Sequence, residues 1–233
     1  GQDSTLANDI LGSGRLEKTG EGRLVLAGDN RFAGGITVGG GTLGLAGDLS
    51  SDLQLSRGRL EALGGAIGGN FSATSGTVTS IAIGDPLQVA GTARLAGELH
   101  LRAVIDGYTP SSTETLLQAD AIDGQFATVS VGSGLFYNAT LAYDDHQVRA
   151  QLERTSATAS ASLAALPAQA IDGARVADQV LSSLPPVEGE AMPRSLTALL
   201  QADLPEASQT LRGLAASEHG IQRTLLMQTA LGD

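Results

Sequence analysis

Few residues in this chain are of types that could do chemistry. The imidazoles are three: His100, His146 and His219. None sits in an HExxH pair, and the chain has no G-x-S-x-G nucleophile elbow and no Cys/His cluster. Gly12-Ser13-Gly14-Arg15-Leu16-Glu17-Lys18-Thr19 ends like a phosphate-binding loop, but Glu17 stands where that loop needs glycine. A carboxylate there repels phosphate, and the segment opens a strand rather than a helix, so it reads as a corner between strands. Asp144-Asp145-His146 offers two oxygens and one nitrogen to a metal, although the same three residues suit an exposed hairpin turn. Glu218-His219 reads as a pair in the first turn of a helix. Asn70-Phe71-Ser72 and Asn138-Ala139-Thr140 match a glycosylation pattern that short sequences often meet by chance. A polysaccharide-cleaving site needs carboxylates and arginines on one face, and the sequence alone assembles none. No catalytic residue, cofactor site or metal site is expected.

The elements that would position such residues are clearest between Leu16 and Leu45. Apolar pairs recur two apart, Leu24/Leu26, Ile36/Val38 and Leu43/Leu45, which puts both members on one face of a strand. Glycines separate the pairs and permit φ > 0 corners, and Asn30 in Gly28-Asp29-Asn30 tolerates the left-handed conformation almost as well. Strands this short cannot bury a face alone, so they must stack on neighbours, as in a parallel β-helix. Leu53/Leu55, Ile81/Ile83, Leu87/Val89 and Leu99/Leu101 extend the pattern to about residue 105. Longer strand candidates come after it: 114–119, 125–131, 135–143 and 147–153. Asp144-Asp145 forms the hairpin turn between the last two, and together they are expected to cap the open end.

Past Thr155 the texture becomes helical. Pro167 opens a helix through Leu184, Pro185-Pro186 ends it, a second fits 193–202, Asp203 and Glu206 start a third, and a fourth fits 217–231. The expected organisation is therefore a stem over 1–105, a β cap over 106–155 and a helical segment over 156–233. The fold class is mainly β: a right-handed parallel β-helix with an antiparallel cap, followed by α-helix.

Composition agrees with a turn-dense β protein. Of 233 residues 31 are glycine, 3% are aromatic and none is cysteine, which excludes disulfides and thiolate metal sites. The net charge of −11 and the single lysine, Lys18, argue against nucleic acid or anionic membranes as partners. No stretch is long and apolar enough to span a membrane as a helix. The first residues lack the regions of a signal peptide, so if the protein is secreted the chain is expected to be internal to a longer one.

Residues 16–45 and their flanks resemble the passenger-associated repeat of bacterial type V autotransporters. The residues that match its pattern are Gly12, Gly14, Leu16, Lys18, Gly20, Gly22, Leu24, Leu26, Gly28, Asn30, Phe32, Gly34, Thr37, Val38, Gly41, Thr42 and Leu43. A second stretch resembles the autochaperone region of the same family, through Leu116, Leu117, Ala119, Ile122, Gly124, Phe126, Val129, Leu141, Tyr143, Asp144, Val148 and Leu152. The helical tail is similar, more loosely, to the linker before the family's outer-membrane barrel. Leu166-Pro167-Ala168-Gln169 departs from the linker's T-x-N-Q, and the Asn-Asn junction of self-cleaving members is absent.

The resemblance implies a non-catalytic part of a passenger at the bacterial cell surface, or secreted via the outer membrane. It would nucleate passenger folding and join an N-terminal effector, expected to be a subtilisin-like serine protease, to a C-terminal β-barrel. Its partners would be those two domains and the outer-membrane assembly machinery. The alternative is an adhesin-type β-helix that binds a host surface or glycan.

Overall fold

The computed structural model describes residues 2–102, 107–108, 111–132, 135–183, 187–188, 199 and 204–216. The chain divides into two compact units. One comprises Gly1–Val104, Ser112–Val131 and Ala139–Leu152, and the other Ile105–Ser111, Gly132–Asn138 and Glu153–Asp233.

The first unit is a parallel β-solenoid of about five turns. One sheet stacks β1 (Ser4–Leu6), β4 (Arg23–Leu26), β7 (Thr42–Leu45), β9 (Arg59–Ala62), β11 (Val78–Ala82), β13 (Glu98–Arg102) and β16 (Thr128–Val131). A second stacks β3 (Leu16–Lys18), β6 (Ile36–Val38), β8 (Leu53–Leu55), β10 (Phe71–Ala73), β12 (Leu87–Leu95) and β15 (Ser111–Gly124). A third, thinner column begins with β2 (Leu11–Gly12) on β5 (Arg31–Phe32) and continues as single bridges, Asn30 to Leu49 to Ile67 to Val89.

The period of two explains the core. In the first sheet Leu43, Leu60 and Leu99 are in register and fully buried, and Leu45, Ala62, Ile81 and Leu101 form the parallel row. In the second, Ile36, Leu53 and Phe71 stack, beside Val38 and Leu55. Each fully buried Leu contributes about 2–3 kcal/mol, and the contribution depends on the coil beside it. The inward pair on β11 is Thr79/Ile81, in register with Leu99/Leu101, so the expected pair Ile81/Ile83 is shifted by one step. Ile83 lies beyond the strand, half-buried.

Two segments expected in the cap belong instead to the last coil. β15 pairs in parallel with β12, and β16 in parallel with β13. The chain then forms a hairpin, β17 (Tyr137–Tyr143) and β18 (Gln147–Arg154), which extends the second sheet in the order β17, β18, β15. Neighbouring strands joined by three residues can only be antiparallel, because a parallel return needs a crossover of a dozen or more.

The second unit is held by helix packing. After Pro167 caps it through hydrogen bonds from Ala170 and Ile171, α1 (Ala168–Ser183) buries Ala170, Ala174, Ala177 and Leu181 at helical spacing. It packs on α2 (Leu204–Ala216), where Ala207 and Leu211 are fully buried. The approach is close enough that a Cβ on Gly173 would lie 2.0 Å from the Leu211 carbonyl oxygen. Arg154, at the end of β18, pairs with Asp178 of α1 at 2.6 Å and also donates to Ser182 Oγ at 3.0 Å. β14 (Gly107–Tyr108) and β19 (Val187–Glu188) form a short antiparallel pair in this unit. The expected helix over 217–231, the capping role of Asp203 and, apart from helical Leu199, the expected helix over 193–202 lie outside the described residues.

Gly213 on α2 has open space where Gly173 has none. Gly213→Ala is therefore expected to stabilise by about 1 kcal/mol, and Gly173→Ala to destabilise by about 1–3 kcal/mol, measured by urea unfolding followed through helical circular dichroism.

Candidate functional site

The solenoid concentrates its specific chemistry at the corners of the first coils and at the terminal hairpin. Lys18 lies on the inward row of β3 and is 7% exposed. Its ammonium donates to the carbonyls of Thr19 (3.0 Å), Gly20 (2.9 Å) and Gly40 (3.0 Å). Three donors meet three acceptors, so the cation is saturated by backbone oxygens that bridge two successive coils. Gly41 makes room for it. Its φ is +66°, and a Cβ there would lie 2.7 Å from Lys18 Nζ and 2.4 Å from the Gly20 oxygen.

A second corner is a glycine column. A Cβ on Gly28 would meet the Asn8 carbonyl carbon at 2.5 Å, on Gly47 the Gly28 oxygen at 2.1 Å, and on Gly65 the Gly47 oxygen at 2.3 Å. Beside it, carboxylates reach forward one coil to accept backbone N–H groups: Asp9 from Asp29 (2.8 Å), Asp48 from Ala66 (2.9 Å) and Asp52 from Asn70 (2.7 Å). Asn70 Oδ1 continues the series to Thr92 at 2.9 Å.

Asn30 does not take up the left-handed conformation it tolerates. No residue other than glycine has positive φ among the described residues. Asn30 is instead extended, bridged to Leu49 and 1% exposed, and its Nδ2 donates to the Gly28 oxygen at 2.6 Å. Gly28 provides the close approach, and the asparagine side chain holds the bend from inside.

The other repeat residues fall where the alternation puts them. Leu26, Phe32, Val38 and Leu43 are buried, Leu24 is half-buried, and Thr37 and Thr42 face outward. Gly20 has φ of +70°, and Gly22 approaches the Gln2 backbone.

The hairpin seals the edge of β15. Ala119 donates to His146 O and Ile122 to Asp145 O, both at 2.9 Å, and His146 Nδ1 donates to Asp120 O at 2.7 Å. Asp144 Oδ1 accepts from His146 N and Gln147 N, and Oδ2 meets Arg149 at 2.8 Å. The His146 backbone bond above all holds the Asp144 carboxyl below its ordinary range against an opposing desolvation, with Gln147 and Arg149 assisting. Of the three residues weighed as metal ligands, Asp144 engages its carboxylate within the turn and on Arg149, and His146 engages Nδ1 on β15. No group of three or more His, Asp or Glu among the described residues is placed to hold a metal ion.

Behind the turn, Tyr143 OH accepts from Phe126 N at 3.1 Å, satisfying an amide between β15 and β16. Burial pushes the Tyr143 phenol up, with the Phe126 bond opposing. Leu117, Val148 and Leu152 are buried, Phe126 is 7% exposed, Leu141 is half-buried, and Gly124 turns with φ of +77°. Of the two remaining histidines, His100 lies on β13, whereas His219 lies outside the described residues.

The outer face of the first sheet carries what the sequence left dispersed. Arg23 pairs with Glu61 at 2.8 Å, Arg59 shares β9 with Glu61, and Arg102 stands two strands further on, on β13. Glu98 accepts from Ser130 Oγ at 2.8 Å, and His100 Nδ1 lies 3.0 Å from the same oxygen. Arginine and carboxylate residues do meet on one face, because strands about twenty residues apart in sequence are adjacent in space.

The architecture is that of a parallel β-solenoid. Residues 16–45 match the family model described as passenger-associated-transport-repeat, and they span the Lys18 corner, the first of the stacked glycines and Asn30. The chain therefore carries a repeat typical of autotransporter passenger domains. No curated protein matches the chain.

Lys18→Met leaves three carbonyls without a donor and is expected to cost about 1–3 kcal/mol in denaturant unfolding. The Tyr143 phenol has a raised value in the folded state, so its contribution is complete below the unfolded value of about 10 and is lost as pH rises through the folded one. Tyr143→Phe should remove that part of the alkaline loss of stability, at a cost of about 1–3 kcal/mol at neutral pH from the unsatisfied Phe126 amide.

Proposed function

We propose that this chain is a non-catalytic region of an autotransporter passenger, in which the terminal hairpin starts folding and the solenoid propagates it. The repeat at 16–45 supports a passenger region of an outer-membrane-linked, secreted or cell-surface protein. No helix among the described residues is long and apolar enough to cross a membrane.

The short closure of the terminal hairpin carries the reading of folding nucleation. The hairpin that covers β15 is itself closed by the three residues between Tyr143 and Gln147. A hairpin closes a short loop and so loses little entropy on forming. A coil closes about twenty residues and gains little until a neighbour exists. The sealed end is therefore the cheaper place to start, and each finished coil supplies corner acceptors and a core face for the next.

In this role the chain would join an N-terminal effector to a C-terminal translocator barrel delivered by the outer-membrane assembly machinery. A subtilisin-like protease is the favoured effector, because a single repeat copy and the prefix Asn8-Asp9-Ile10-x-Gly12-Ser13-Gly14 suit that kind of parent.

Refolding kinetics test the nucleation. Val148→Ala in the hairpin should slow refolding by nearly its whole stability loss, whereas Leu26→Ala in an early coil should mainly speed unfolding. The reverse assignment would sink the proposal.

A further inference from the structure

One corner of the solenoid presents oxygen atoms that no amide serves. The carbonyls of Thr19, Gly20 and Gly40 meet Lys18 Nζ at 3.0, 2.9 and 3.0 Å. Among the described residues no backbone N–H donates to any of the three. Neighbouring corner carbonyls are used differently: Gly22 O accepts from Thr42 N and Gly41 O from Arg59 N, each one coil on. Lys18 makes no ion pair among the described residues, so neutral oxygens alone hold its charge. Val38 and Leu55 stand in register with it on the following coils, so this junction alone places a charge in that inward row. We propose that the corner is a binding site for a primary ammonium group, which Lys18 fills from within the chain and which a free alkylammonium ion fills when that side chain is shortened.

The geometry selects the ligand. Three acceptors at 2.9–3.0 Å match the three N–H bonds of a primary ammonium at ordinary hydrogen-bond length. A quaternary ammonium has no N–H to offer. Divalent metal ions take about six or more oxygens at roughly 2.0–2.6 Å, and three neutral carbonyls at a longer distance do not replace such a shell.

The walls of the site differ. On one side Gly41 closes in, and a Cβ there would lie 2.7 Å from Nζ. On the other, Gly20 is exposed and a Cβ on it would meet nothing within 4 Å. A small ion therefore reaches the carbonyls from solvent once the lysine stem is gone. Thr19 and Gly20 belong to one coil and Gly40 to the next, so the site is complete only when the two are stacked. Its occupant is a latch between them.

Beyond Cβ the lysine side chain has the composition of n-propylammonium, so Lys18→Ala removes that group and leaves a slot of its shape. The test is thermal unfolding of Lys18→Ala with added n-propylammonium chloride at neutral pH. Sodium chloride, tetramethylammonium chloride and n-propanol are parallel probes, and the unsubstituted chain and Leu26→Ala are reference proteins. The expected result is a saturable rise in the midpoint of Lys18→Ala, about 3–6 °C at ten times the dissociation constant, with n-propylammonium alone and in neither reference protein. No rise, an equal rise with any parallel probe, or an equal rise in Leu26→Ala overturns the proposal.

Should Lys18→Ala fail to fold, Lys18→Cys decides. The chain has no cysteine of its own, so the unfolded variant is alkylated at one sulfur and then refolded. Alkylation by 2-bromoethylamine restores lysine's length and its ammonium, whereas 1-bromopropane gives the same length ending in a methyl group. Refolding of the ammonium adduct alone supports the proposal, and refolding of both adducts or of neither overturns it.

Discussion

Everything in the solenoid depends on bringing the backbone of one coil into van der Waals contact with the next at its corners. Strand ladders fix a spacing of about 4.8 Å, and a corner that carried a Cβ would hold its neighbour away. Gly28, Gly47 and Gly65 keep one corner bare through successive coils. The contact leaves corner amides and carbonyls facing along the axis, and the chain supplies partners for them. Asp9, Asp48 and Asp52 accept from the coil ahead, and Lys18 gathers carbonyls from two coils at once. A buried ammonium is tolerable there because it is fully hydrogen-bonded, not because a counter-charge sits beside it.

Much of this was legible in the sequence, since apolar pairs two apart encode the inward rows directly. Leu43/Leu45 and Leu53/Leu55 could be read off as strands, and the repeat at 16–45 stood out by its spacing. Three features were not legible, each for a physical reason. The glycine pattern suggested left-handed turns throughout, yet at Gly28 the demand is for space, and Asn30 is an interior clasp. The membership of β15 and β16 in the solenoid was hidden because the intervening chain is longer and β12 carries a register shift against β15. The arginine–carboxylate face could not be seen because adjacency across coils has no signature until the register is known. Of the forward-reaching aspartates only Asp48 follows a glycine, so they left no recurring signal in the sequence.

The helical unit obeys a different logic. Its close contact is helix on helix through Gly173 and alanines, with Arg154 and Asp178 tying α1 to the residue that ends β18. The Arg154–Asp178 pair is largely buried, with side chains 17% and 14% exposed, and Ser156 also donates to Asp178, so the carboxylate is satisfied on several sides. Desolvation offsets much of the attraction in such a pair, so its net contribution to stability is small. The helices therefore read as a packed unit in their own right, not as an unstructured tether.

Val129 pairs with Leu99 although thirty residues separate them, whereas earlier partners are about twenty apart. Ladder and corner contacts fix the register locally, and lengthening a flexible connection raises its closure cost only slowly. A lineage of such proteins can therefore acquire or lose excursions between strands, even whole added domains, without rebuilding the core. The scaffold conserves its pitch while its ornament is free to diversify.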